Sequence, residues 1–382
     1  MNRKPAVLEG IRFFALCSAG GFVLASAGLS VGWMMGSLLV AACHSFRHPA
    51  KSDARPENRK IGLRIGQCIL GMELGQRLNL SVLAMLKEHS ITIALILSLS
   101  IFCSWGAGYL LHKVCKTDLL TSFLATAPGG LSAMPALAQE LGANTAVVTL
   151  NQTIRIFLVV LTIPLIVSGM ANPAVSTAVP HVSPFAGTAD FRIASFLWTI
   201  VLAVSAWGGY HLGRFLKFPA PWLVGSLITV ALVQNLGNLY AGGDVLPWWP
   251  ENIMSIAQIL IGASVGASFQ KSMFIGIGKT FLVSFFATAA FIMTMLACAY
   301  VVSRLTGIAV VTTSLAFAPG GVAEMTSTAV ALRADSMFVV AVQVIRIVVV
   351  NATLPPLFKL LHDQEKSLQK KETFRDVDDF RK

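Results

Sequence analysis

Two arginines stand inside apolar stretches where a charge is costly. Arg155 lies in the run 145–170 and Arg346 in 337–360, and each has a glutamine three residues earlier, Gln152 and Gln343, on the same helical face. A guanidinium at the centre of a spanning helix costs about 2.5–3.5 kcal/mol on insertion scales unless it is paired or faces water. Two uses suit this pair of residue types. One is a bidentate clamp on a carboxylate-like or phosphate-like solute; the other is a brace that donates to loose backbone carbonyls. Residue types alone leave both open.

Upstream of each arginine lies a break in the chain direction, Pro128-Gly129-Gly130 in one case and Pro319-Gly320-Gly321 in the other. Proline removes a backbone donor and the two glycines favour a turn, so each stretch is expected as two half-helices meeting at mid-depth. In the first these are 119–127 and 131–141. A re-entrant hairpin is the economical form, and two short crossings are the alternative. Amide groups at the start of the second half-helix can coordinate an anion without a charged side chain, although a plain tight turn uses the same residues. The candidate substrate-binding set is therefore Gly129, Gly130, Gln152, Arg155, Gly320, Gly321, Gln343 and Arg346, with Pro128 and Pro319 as the helix breaks.

Acidic residues at depth are few: Glu73, Glu140, Glu324 and Asp335. Glu73 and Glu324 are candidates for a coupling-ion or proton site, which need occur only once. Either could instead be the partner of a buried arginine. Asn144, Asn151, Thr153, Ser264 and Asn351 could line a polar path or bond neighbouring helices. No metal site is expected: His44 and His48 have ligand spacing but straddle a helix end, and the six cysteines lack a C-x-x-C pair. Phosphate-binding loops, dinucleotide fingerprints, nucleophile elbows and DNA-reading modules are missing from the sequence. Neither a cofactor nor an enzymatic activity is expected.

The elements that must hold these residues occur twice. Residues 121–164 and 312–355 align without a gap at an offset of 191, with 19 of 44 positions identical. The match keeps P-G-G and then Q-x-I-R-I at equal distance, which marks an internal duplication. Trp33-x-x-Gly36-Ser37-Leu38 pairs with Trp222-x-x-Gly225-Ser226-Leu227, and the Gly-rich 67–75 pairs with 258–266. Ala133 stands opposite Glu324 and Ser264 opposite Glu73, so the duplication keeps neither carboxylate.

At 382 residues, 55% hydrophobic, 12% charged and with a mean hydropathy of +0.71, the chain is too apolar for a soluble globule, whose charged fraction is about 25%. The expected fold class is an all-α polytopic membrane protein. It divides into a first repeat at 1–170, a linker at 171–190 without lysine or arginine, a second repeat at 191–360 and a charged tail at 361–382. Each repeat reads as about five transmembrane helices plus the broken hairpin. An odd number of crossings makes the repeats inverted, and the charges agree: 22 of the 29 basic residues then fall on the cytoplasmic side, with both termini inside. The net charge of +11 is thereby a matter of topology and not of nucleic-acid binding. The first apolar stretch is expected as a retained span and not a cleaved signal peptide, because the second repeat opens with its own copy at 191–213.

The duplicated L-A-x-A-P-G-G and Q-x-I-R-I elements, with W-x-x-G-S-L in each half, resemble the membrane AbrB-type family of Gram-negative bacteria. The resemblance covers nearly the whole chain up to the tail. It implies a multi-pass inner-membrane protein, and the family carries the labels of regulator of gene expression and of ammonia monooxygenase. The architecture is similar to inverted-repeat antiporters and bile-acid-type transporters, which implies transport by analogy alone. The first expectation is a secondary transporter of a small anionic solute, coupled to protons or Na+. The second is a membrane-bound regulator acting through the tail or the basic loop at 47–64, and the third, an ammonia-monooxygenase-like enzyme, has the least support. The expected partners are the lipid bilayer and the solute; a homo-oligomer is left open.

Overall fold

The computed structural model describes residues 3–29, 31–48, 56–78, 87–128, 133–170, 193–218, 220–241, 243, 245–250, 252–269, 278–350 and 353. Among them there are helices and no strands. The first repeat supplies α1 (Arg3–Ser26), α2 (Gly32–Arg47), α3 (Pro56–Arg77), α4 (Ser90–Cys115), α5 (Leu119–Thr126), α6 (Ala133–Glu140) and α7 (Thr145–Met170). The second supplies α8 (Ile193–Phe215), α9 (Pro221–Ala241), α10 (Ile253–Gly266), α11 (Gly278–Thr306), α12 (Val310–Phe317), α13 (Val322–Ala331) and α14 (Ser336–Val350). The linker at 171–190 and the tail at 361–382 lie outside the described residues.

Six helices, α1, α4, α7, α8, α9 and α11, are long and apolar enough to cross a bilayer. One boundary differs clearly from the sequence reading. The basic segment at 47–64 is expected as a loop, but Pro56 opens α3 and its second part, with Arg59, Lys60 and Arg64, is helical. Proline suits a first helical position because the amide it lacks would be unpaired there. The polar first turns lower the segment's hydropathy and hide the helix from a reading based on apolar runs.

The helices sort into two groups by contact. In one, α1 packs on α2 and α8 on α9, while α2 lies against α10 and α9 against α3. The Gly-rich helices thus pack on the W-x-x-G-S-L helix of the other repeat, an exchange the sequence does not announce. Close approach requires the glycines: a Cβ on Gly71 would lie 2.7 Å from the Leu223 carbonyl oxygen, and one on Gly262 would meet the Met34 carbonyl. Small residues matter because lipid tails are as apolar as leucine, so close packing has to supply the adhesion.

The other group holds α4, α5, α6, α7, α11 and α12, with α4 against α11 and both half-helix pairs beside α7 or α11. α13 lies where the groups meet. Its Val322 and Ala323 pack with Leu70, Leu74, Leu223 and Leu227, and its Met325 and Ala329 with Met34, Leu38, Val159 and Val265.

Candidate functional site

Both broken stretches fold as expected into two short helices. The chain leaves α5 at Ala127 and α12 at Ala318, each with extended backbone (ψ 134° and 127°), as residues ahead of proline prefer. Ending a helix at depth strands its last four carbonyls, which elsewhere would turn to water.

The arginine and glutamine of the following helix take up those carbonyls. Arg155 is 5% exposed and Gln152 fully buried. Arg155 Nη1 donates to the carbonyls of Thr126 (3.0 Å) and Ala127 (2.9 Å), and its Nη2 donates to Gln152 Oε1 at 2.5 Å. Gln152 Nε2 is shared among the carbonyls of Leu124, Ala125 and Ala127 at 2.9–3.2 Å. In the second repeat, Arg346 Nη1 donates to Ala318 (2.8 Å), its Nη2 to Gly320 (3.1 Å) and to Gln343 Oε1, and Gln343 Nε2 to Leu315 (2.8 Å) and Ala318 (3.1 Å). A cation at a helix C-terminus also complements the negative end of the helix dipole. Of the two uses open at the level of residue types, the contacts seen are those of the brace.

Further pairs, which the sequence reading does not assign to this network, repeat at the same offset. Asn144 Oδ1 accepts from the amides of Ala146 (3.1 Å) and Val147 (3.2 Å), and Asp335 Oδ1 from Met337 (3.1 Å) and Phe338 (2.9 Å), so each caps the arginine-bearing helix. The amide of Asn144 donates to Thr121 Oγ1 and that of Asp335 to Thr312 Oγ1, at 2.9 and 3.2 Å, tying each cap to the start of its half-helix. Their signal is present in the sequence: Thr121 and Thr312 are identical at the repeat offset, and Asn faces Asp.

The surroundings of the two braces differ. Around the first, Asn151 Nδ2 donates to the Ala125 carbonyl and Ser104 Oγ to that of Thr126. A cavity of about 10 Å3 lies against it, lined by residues of α4, α5, α7 and α11 that include Thr126, Asn151, Arg155 and Thr288. Around the second, the positions equivalent to Thr126, Asn151 and Thr288 are Phe317, Val342 and Leu97, which belong to one apolar cluster.

Of the remaining candidates, Gly129 and Gly130 lie outside the described residues, and so does Asn351. Pro128 and Pro319 sit at the breaks, with Gly320 and Gly321 leading into α13. Gly321 is the N-cap of α13, and the Glu324 carboxylate folds back over it, so a Cβ on Gly321 would collide with that carboxylate. Glu324 is 8% exposed and pairs with no lysine or arginine among the described residues. Its neighbours Thr326 and Ser327 are fully buried, and their hydroxyls have no partner there. Glu73 is buried in α3 and pairs with Arg77 one turn on. Ser264 donates to the Leu260 carbonyl of its own helix. The structure therefore brings Gln152 with Arg155, and Gln343 with Arg346, to the two breaks, adds Glu324 at the second, and pairs Glu73 with Arg77.

The chain is similar to known proteins. A family model described as "Transition state regulatory protein AbrB" matches residues 33–362. A protein of Bacillus subtilis (strain 168) named "Uncharacterized protein YhjN" is 46% identical over 368 residues, 95% of each chain. One of Escherichia coli (strain K12) named "Putative regulator AbrB" is 26% identical over 298 residues, 77% of this chain and 81% of that one. The Bacillus relative extends the resemblance beyond Gram-negative bacteria. With the match running from the first W-x-x-G-S-L segment through both braced breaks, this chain belongs to the membrane AbrB-type family.

Proposed function

We propose that the protein is a secondary transporter of a small anionic solute, coupled to protons or Na+. In this reading it lies in a bacterial inner membrane with both termini cytoplasmic, and its two repeats are inverted. The observation that carries the proposal is the pair of helix breaks whose carbonyl ends are each held by a buried arginine and glutamine. Keeping two cut helices inside a membrane is expensive, and broken helices at a repeat interface are how secondary transporters present backbone groups to solutes and ions. With the carbonyl ends capped, the amide ends of α6 and α13 are the groups left to receive an anion.

The two amide ends are not equivalent. At α13 the carboxylate of Glu324 already lies over the N-cap, while α6 has Ala133 at that place. We assign the solute anion to the first break and ion coupling to Glu324. The unpaired hydroxyls of Thr326 and Ser327 nearby support a polar path along α13.

The experiment is flux into proteoliposomes with a panel of carboxylates and phosphates. Uptake should survive deletion of 361–382 and respond to a pH or Na+ gradient in the parent protein but not in Glu324→Gln. The relative named as a regulator supports a second reading, in which solute binding alters gene expression through the tail. A tail-dependent change in expression with no flux of any solute would decide for that reading and against transport.

A further inference from the structure

We infer that the first repeat holds one buried water beside its helix break, accepting from the Nε–H of Arg155 and donating to Oδ1 of Asn151. Both atoms are buried and have no protein partner among the described residues, and both residues line the same cavity of about 10 Å3. That volume is roughly the space one water needs.

The chemistry of the lining selects the occupant. Asn151 Nδ2 donates to the Ala125 carbonyl at 2.8 Å, and a carbonyl can only accept, so the amide cannot turn over and Oδ1 is left as an acceptor. The cavity then offers the Arg155 donor and the Asn151 acceptor, beside the hydroxyls of Thr126 and Thr288. A cation meets the guanidinium, and an anion meets Oδ1. Water and ammonia are the neutral molecules of one heavy atom that both accept and donate, and of the two water is the solvent, so it is the occupant of a small buried cavity with unpaired polar atoms.

The second repeat supplies an internal control. At the offset of 191, Asn151, Thr126, Thr288 and Leu111 correspond to Val342, Phe317, Leu97 and Val302. These four pack in one cluster, with Phe317 and Val342 fully buried. Arg346 Nε also lacks a protein partner among the described residues, but Val342 brings no acceptor and Phe317 stands where the first repeat has Thr126. The same backbone arrangement is thus wet in one repeat and dry in the other. The water makes the first brace the one with an exchangeable member, whatever solute the protein handles.

Thr288→Leu tests this by placing in the cavity the residue that the second repeat carries there. If a water is displaced, two buried polar atoms are left unpaired, and the full-length protein in detergent should melt a few degrees lower. A higher melting temperature, the usual result of filling a dry void, would overturn the inference. Density for the parent protein at a resolution that shows ordered waters gives a check independent of the variant's folding. A peak within hydrogen-bond distance of both Arg155 Nε and Asn151 Oδ1 is expected, and an unoccupied cavity rejects the proposal.

Discussion

At the first break, four side chains donate to the stranded carbonyls of 124–127: Arg155, Gln152, Asn151 and Ser104. At the second, Arg346 and Gln343 are the side-chain donors among the described residues, and Phe317 and Val342 stand where the first has Thr126 and Asn151. Polarity is redistributed along the hairpin as well. The half-helix α13 carries Glu324, Thr326, Ser327 and Thr328, where the first repeat has Ala133, Pro135, Ala136 and Leu137. The duplication has kept what a cut helix needs to survive in a membrane and has let everything else diverge. One broken stretch is polar at its carbonyl end, the other in its amide-end helix, and such divergence suits two stretches with different tasks.

Removing either brace should have the largest effect and should separate the two repeats. Arg346→Ala takes the donor from the Gly320 carbonyl and from Gln343 Oε1 and leaves Ala318 with Gln343 alone, at about 1–3 kcal/mol for each group left unpaired. Arg155→Ala is cushioned, because Ser104 also donates to Thr126 and Gln152 to Ala127. Denaturation in mixed micelles should show both variants destabilised, Arg346→Ala the more; equal losses would mean that the extra donors contribute nothing.

Next in size is the filling of the second repeat. Phe317→Thr installs the residue found in the first and should cost about 3 kcal/mol, near the low end for truncating a buried phenylalanine. The reciprocal Thr126→Phe must push into a cavity far smaller than a phenyl ring and should also destabilise, by about 1–3 kcal/mol. Neutral behaviour of both in the same assay would dissolve the wet-versus-dry contrast.

The helix caps are expected to behave alike. Asn144→Ala and Asp335→Ala should each lose about 1 kcal/mol, and hydrogen exchange should rise in the first turn of α7 or α14. The smallest difference lies at the turn after each hairpin. Gly142 has φ +73°, and its counterpart Arg333 holds φ +55°, a region that costs a non-glycine residue roughly 1 kcal/mol. Gly142→Ala should therefore cost about 1 kcal/mol in the same assay, since open space surrounds the added Cβ, and an unchanged stability would mean that the left-handed turn carries no such penalty.

Much of this site is legible in the primary structure because its parts are identical in both copies. Pro128 and Pro319, Gln152 and Gln343, and Arg155 and Arg346 stand out by type, depth and repeated spacing. Thr121 and Thr312 are repeated just as faithfully, yet a hydroxyl in an apolar segment has too many uses to be singled out. Ser104 has no polar counterpart, and its donation to Thr126 depends on how α4 lies against α5. α3 is under-read for a different reason: its first turns are basic, and hydropathy marks apolar surface and not helicity.

Residue types and the duplication by themselves determine an all-helical membrane chain, two broken stretches and the arginines that follow them. Those are local properties, written in hydropathy, proline, glycine and spacing. Only the tertiary structure decides what the arginines touch, because a guanidinium some 28 residues downstream reaches a carbonyl only after α7 has folded back along α5. It likewise decides that each Gly-rich helix packs on the other repeat's W-x-x-G-S-L helix, and that one brace borders a small cavity shared with Asn151 and Thr288 while its copy lies in apolar side chains. Those outcomes depend on which surfaces close against one another, and spacing along a single chain does not encode that choice in readable form.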